Sequence, residues 1–280
     1  LHPGDHGGDG LDRILAGPNL TVSSFAPGGG TLDVQGGTLT LAQDGTLAAG
    51  QTLTVSGGAL VSLGAFDNAG TLDVTAGSAS LAGGGSHGGT FTVAGGARID
   101  FAGGTHQFAD GSLFAGAGSF AHSGGQLRLV GSGSGTAVAS GTTLDLNTMA
   151  FAGSGSLTNA GTVVGAAGAV IPGDFINLAG GTATLADSTI GGSLFNRGSF
   201  IVAGIDRVHG PLIQQLGGNM LVPGGAKLDM THPAANFSWV DGTIGGTGTL
   251  SFSGGGTFQF AGTGDRIIDG MNFEFNNLTL

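Results

Sequence analysis

One phrase recurs along this chain and limits what it can fold into: a short run that reads polar, apolar, polar, apolar and returns at intervals of about twenty residues. It appears as Thr31-Leu-Asp-Val34, Thr52-Leu-Thr-Val55, Thr71-Leu-Asp-Val74 and Thr90-Phe-Thr-Val93. Runs of the same kind lie between and after these, among them Thr38-Leu-Thr-Leu41, Thr143-Leu-Asp-Leu146, Lys227-Leu-Asp-Met230, Thr249-Leu-Ser-Phe252 and Thr257-Phe-Gln-Phe260. A side-chain period of two belongs to a half-buried strand, so Leu32, Val34, Leu72 and Val74 point inward while the Thr and Asp residues point out. A strand this short cannot hide its apolar side alone, but a coil repeated at a fixed period hides it by stacking on its neighbours. A hairpin meander or closed barrel also has short strands and turns, yet gives no reason for one signature to return every twenty residues. The expected fold is all-β: a right-handed parallel β-helix, or β-solenoid, of about twenty residues per coil.

Gly-Gly, Gly-Ser or Asn-x-Gly punctuates nearly every run and is expected to supply the positive-φ residues of sharp corners. Three corners share Asn-x-Gly-Thr/Ser before a strand: Asn68 with Gly70, Asn159 with Gly161, and Asn196 with Gly198. Asn tolerates the left-handed conformation and can bond the backbone of the next coil, so these six are expected to be structural corner residues.

Composition removes the competing classes. The chain has 62 Gly among 280 residues but only 7 Pro and no Gly-X-Y period, which excludes a collagen helix, and its regularly placed Leu, Val, Ile and Phe argue against disorder. Lys227 is the only lysine and Glu274 the only glutamate, so helix-stabilising charge pairs are missing and helix content should be near nil. Lys+Arg 7 against Asp+Glu 18 sets a formal net charge of -11, which repels phosphate backbones and anionic lipid; nucleic acid is not an expected partner. With Cys 0, no disulfide or thiolate-metal site can form. No run approaches the ~18 apolar residues of a membrane helix, so membrane insertion is not expected. Residues 1–20, rich in Gly, His and Asp, read as a separate N-terminal segment or cap, and residues 21–280 as a single solenoid. Residues 203–218 break the short-run pattern and read as an irregular loop or coil. The chain opens at Leu1 without a basic leader and closes mid-pattern at Leu280, which suggests a piece of a longer secreted protein.

The Gly-Gly-Thr-Leu-x-Val runs, the Asn-Ala-Gly-Thr corners, the segment from Phe237 through Trp239 and Gly242 to Leu250, and the phrase Phe273-Glu-Phe-Asn276 resemble the passenger repeats of large bacterial surface proteins. These are the filamentous-haemagglutinin-like and autotransporter-type β-helices. The resemblance covers nearly the whole chain from about Thr21 to Leu280, and implies the fold more strongly than an activity. It implies a secreted or cell-surface location, Gram-negative by type. The Asn-Pro-Asn-Gly phrase of a two-partner-secretion domain does not occur.

Several residues invite chemistry. Gly7-Gly-Asp9-Gly-Leu-Asp12-Arg-Ile-Leu15 matches the calcium β-roll nonapeptide, so Asp9 and Asp12 are candidate Ca²⁺ ligands. One copy supplies no ligands from a successive turn, and a Gly/Asp-rich terminal loop is the preferred reading; no cofactor is otherwise expected. His2, Asp5 and His6 have metal-like spacing, but a solvated tail accounts for them. Asp33 and Asp73 occupy the same place in identical strands and should lie in one column ~9–10 Å apart, near the wide end of the spacing used by inverting glycosidases. Neither has an aromatic platform or a cationic partner nearby, so outward solvated carboxylates are preferred and the chain is not expected to be an enzyme. Thr-x-Thr pairs at Thr38/Thr40, Thr52/Thr54, Thr90/Thr92 and Thr182/Thr184 suggest an ice-binding array, but Asp, Ser and Ala interrupt it and ordinary β-favouring Thr is preferred. Phe237, Trp239, Phe252, Phe258, Phe260, Phe273 and Phe275 are expected to stack in the core. Phe273, Phe275, Leu278 and Leu280 keep the inward alternation to the last residue, an uncapped end expected to make end-to-end contacts.

The functional expectation is an extracellular structural or adhesive rod that presents or forms a binding surface for a host or matrix partner, glycan or protein. Two alternatives stand beside it: a self-assembling filament subunit, a homopolymer joined through solenoid ends, and a carbohydrate-active β-helix enzyme.

Overall fold

The computed structural model describes residues 11–14, 19–23, 31–166, 168–214, 217–233, 236–254, 256–275 and 278–279. Among them there is no α-helix, and every strand pairing is parallel, the arrangement of a β-solenoid with about 21 residues per turn. The chain divides into two compact units, Leu1–Arg128 and Leu129–Leu280.

In unit 1 the described strands fall on three faces, visited in turn by successive coils. The first face holds Leu11–Ile14, Thr31–Val34, Thr52–Val55, Thr71–Val74, Thr90–Val93 and Leu113–Ala115. The second holds Leu20–Val22, Thr38–Leu41, Ala59–Ser62, Ser78–Leu81, Arg98–Phe101 and Ser119–His122. The third includes Gly45–Leu47, Phe66–Asn68, Gly85–His87 and Thr105–Phe108. The repeat phrases align in register: Thr31 pairs with Thr52, Thr52 with Thr71 and Thr71 with Thr90. The register turns alternation into columns, Leu32–Leu53–Leu72–Phe91 and Val34–Val55–Val74–Val93, all buried. Each such side chain contributes about 1.5–3 kcal/mol of apolar burial, and each coil also satisfies the backbone of the next.

Unit 2 repeats the plan. Its first face includes Leu157–Asn159, Phe175–Asn177, Leu194–Asn196, Leu212–Gln214 and Phe237–Trp239; its second, Thr162–Gly165, Thr182–Leu185, Ser199–Val202, Asn219–Leu221 and Gly242–Gly245. Its third includes Val170–Ile171, Thr189–Ile190, Ile205–Val208, Lys227–Met230 and Thr249–Phe252. Residues 203–218, expected to be irregular, are a correction: Ile205–Val208 and Leu212–Gln214 within them are ordinary coil strands, paired with Lys227–Met230 and Phe237–Trp239. The inward partner of Val208 there is Asp206, a carboxylate at a core position, which is why the pattern looked broken.

The corners differ from expectation in their conformation. Gly70, Gly161 and Gly198 are not among the positive-φ residues, and among the described non-glycine residues only Asp187 has positive φ. Gly70 is required for another reason: a Cβ there would strike the carbonyl oxygens of Ala48 and Gln51 in the coil below. Positive φ is used instead in tight turns such as Ala48–Gln51 and Ala94–Ala97, closed by Gln51 N–H to Ala48 O (3.0 Å) and Ala97 N–H to Ala94 O (2.9 Å). Gly50 (φ 80) and Gly96 (φ 86) take the third position, the dihedral a type II turn needs.

Candidate functional site

The outward side chains of the first face of unit 1 form two straight columns. One is Thr31, Thr52, Thr71 and Thr90; beside it run Asp33, Thr54, Asp73 and Thr92, all half-exposed. Asp33 and Asp73 therefore do share a column, with Thr54 between them. Their settings differ. Asp33 is tied down by Ser56 Oγ (2.6 Å) and Gln35 Nε2 (2.9 Å), whereas partial burial raises the Asp73 pKa. On the second face the Thr38/Thr40 pair is followed in register by Ala59 and Val61, so the threonine array does not extend there.

Unit 2 presents a different surface on its first face. Ile176, Phe195 and Ile213 follow one another in register on the outside, half-exposed. Ile176 and Phe195 line a shallow hollow of about 240 Å³ together with Leu178 and Arg197. On the third face the chain's only lysine meets its only glutamate, Lys227 Nζ to Glu274 Oε2 at 2.9 Å, an exposed pair worth about 0–1 kcal/mol.

The corner asparagines turn inward. Asn68, Asn159, Asn177, Asn196 and Gln214 are all fully buried. Asn159 Nδ2 donates to Asn177 Oδ1 (2.9 Å), Asn177 Nδ2 to Asn196 Oδ1 (2.8 Å) and Asn196 Nδ2 to Gln214 Oε1 (3.0 Å). Each amide also bonds the backbone one coil on, Asn159 to Thr182 O, Asn177 to Ser199 O and Asn196 to Asn219 O. Asn68 does the same to Thr90 O at 3.0 Å. Bonding to the next coil was expected of these residues; that they form a ladder, with Asn177 and Gln214 as members, was not. The signal was present as apolar-x-Asn/Gln at Leu157, Phe175, Leu194 and Leu212. In unit 1 the residue above Asn68 is a histidine, His87.

Phe237, Trp239 and Phe252 are core residues as expected, but Phe260 is 63% exposed and Phe275 37%. Phe273 and Phe275 pair with Leu250 and Phe252 on the third face. Asp9 and Leu280 lie outside the described residues; Asp12 and Leu278 are placed on strands Leu11–Ile14 and Leu278–Thr279 by backbone alone. Among the described residues there is no group of three or more His, Cys, Asp or Glu arranged to hold a metal ion, and no helix long and apolar enough to cross a membrane.

No family model matches the chain, and no curated protein and no solved structure does either. The structure establishes a β-helix repeat protein.

Proposed function

We propose that this chain is a structural and adhesive element of a bacterial surface protein, exported from the cell and presenting its solenoid faces to a host or matrix partner. The observation that carries this reading is the outer first face of unit 1, where hydroxyls and carboxylates stand in two in-register columns on a sheet whose backbone is paired coil to coil. Such a surface is flat and held by its own ladder, so it contacts a partner without paying much ordering entropy. Kinship with filamentous-haemagglutinin-like or autotransporter passengers, and a Gram-negative source, belong to the same proposal and rest on the sequence phrases.

The test couples the purified chain to beads and measures retention on immobilised matrix glycoproteins, mucin and polysaccharides. Saturable retention that is lost when Thr52, Thr54, Thr71 and Asp73 are replaced together by Lys supports the reading. Release of reducing ends from any polysaccharide, or retention on none of the surfaces, overturns it.

A further inference from the structure

Two groups of buried titratable side chains serve no purpose in surface presentation. In unit 1, His87 and His106 are buried in the core with nearly parallel rings, 5.2 Å between centroids. Their partners determine where the protons sit. His106 Nε2–H donates to Leu81 O (3.2 Å), so His106 Nδ1 carries a lone pair, which accepts His87 Nε2–H at 2.9 Å. His87 Nδ1 is then left as a buried lone pair with no partner. Phe91 and Phe108 stand 5.0 Å from the His87 ring and Phe101 6.3 Å. A proton has no acceptor to point at on His87 Nδ1, and on His106 it would either set two donors against each other or push the His87 proton onto that same partnerless Nδ1.

The neighbours offer little relief: the carbonyls of Leu81 and Gly103 favour a charge on His106, but burial outweighs them. His122, half-buried on the second face beside Phe101, adds a second imidazole that repels a charge on His106. Asp67 and Asp100, on adjoining strands, face outward; Asp67 accepts Ser86 N–H, and Asp100 accepts from Ser123 and Arg98.

In unit 2, Asp206 points into the core at 1% exposure. Its Oδ1 accepts Ser188 N–H at 2.7 Å, and its Oδ2 has no partner. Asp187, an exposed carboxylate that accepts Ile205 N–H, adds repulsion; Arg207, Lys227 and Asp229 on the same and adjoining strands face outward. Here the neutral form is the one the site accommodates.

We propose that the two units respond to acidification in opposite senses: unit 1 loosens as the His87–His106 pair is driven to take protons, and unit 2 tightens as Asp206 takes one. The inference stands on the buried groups alone, independent of the adhesive reading. The signs follow from linkage. Burial, then the charge of His106, lowers the His87 pKa from 6.5 to about 3, so the unfolded chain binds the proton more readily and stability falls as pH drops below about 6.5. Burial raises the Asp206 pKa from 3.8 to about 6, so the folded chain binds the proton more readily and stability rises as pH drops through about 6. From pH 7 to pH 5 these shifts change the folded-to-unfolded ratio roughly twentyfold downward in unit 1 and roughly tenfold upward in unit 2.

The test is hydrogen exchange on the whole chain at pH 5 and pH 7, corrected for intrinsic rates and read by peptide in each unit. Protection should fall by about an order of magnitude in the coils of Gly85–His87 and Thr105–Phe108, and rise by a similar factor around Ile205–Val208. His87→Asn, which continues the polar column of Asn68, should reduce the first change and leave the second; Asp206→Asn, which keeps an acceptor for Ser188, should leave the first and remove the second. If His87→Asn fails to fold, nitrogen-correlated imidazole NMR on the native chain replaces it: the His87 ring should stay neutral at pH 5, with its proton on Nε2 and the His106 proton on Nε2. Protection that moves in the same direction in both units, changes undiminished in their variants, or a His87 ring that titrates near pH 6.5 would overturn the proposal.

Discussion

Asn177 is the middle rung of the buried amide ladder, and its removal has a cost that the geometry sets. Asn177→Ala deletes a donor to Asn196 Oδ1 and to Ser199 O and the acceptor of Asn159 Nδ2. Asn159 Nδ2 keeps Thr182 O, so the damage concentrates on Asn196 Oδ1 and Ser199 O. A buried polar group stripped of its partner costs about 1–3 kcal/mol, which puts the variant about 3 kcal/mol below the native chain. Gln214 supplies the control. Its Nε2 has no partner, and Asn196 Nδ2 retains Asn219 O when Gln214 Oε1 is lost, so Gln214→Met should cost only about 1 kcal/mol. Trp239 is the chain's only tryptophan, is fully buried and pairs in register with Gln214, so its fluorescence in a urea titration reports these coils. The expected result is a midpoint shift about three times larger for Asn177→Ala than for Gln214→Met, with unchanged slope. Equal shifts, or a loss below about 1 kcal/mol for Asn177→Ala, would refute the claim that the ladder holds adjacent coils together.

Leu72→Asp puts an unpaired carboxylate in a fully buried column and should cost several kcal/mol, whereas Asp73→Asn, on the outside of the same strand, should change stability by less than ~0.5 kcal/mol; equal melting temperatures would contradict the alternation. Gly161→Ala drives a Cβ into the carbonyls of Ala139 and Thr142 and should cost more than ~2 kcal/mol, against about 1 kcal/mol for Gly141→Ala, where only the positive φ (79°) resists and no atom lies within 4 Å. Chelation should leave the thermal melt unchanged; a melt that drops with chelator and recovers with Ca²⁺ would mean that metal binding at Asp9 and Asp12 contributes folding free energy.

Much of the fold was legible because a strand's inward and outward sides are written two residues apart. Thr31-Leu-Asp-Val34 and Thr71-Leu-Asp-Val74 therefore display their buried positions, their shared face and the Asp33–Asp73 column in the sequence itself. The inward burial of the corner amides and of Asp206 was not legible for one reason. A polar residue at the end of a short run reads locally as a turn or a break, and what makes it tolerable in the core is a partner eighteen or nineteen residues away, as Asn177 is for Asn159 and Asn196. The burial of His87 is hidden in the sequence in the same way, since its acceptor lies on His106.

The sequence by itself determined the all-β class, the coil length and the apolar columns, because these depend on period and composition, which survive any small error in register. Only the tertiary structure decided which polar side chains turn inward and whom they meet. Burying an amide, an imidazole or a carboxylate is costly until its hydrogen bonds are made, and in a solenoid those bonds are made one coil away, at a distance no local pattern records.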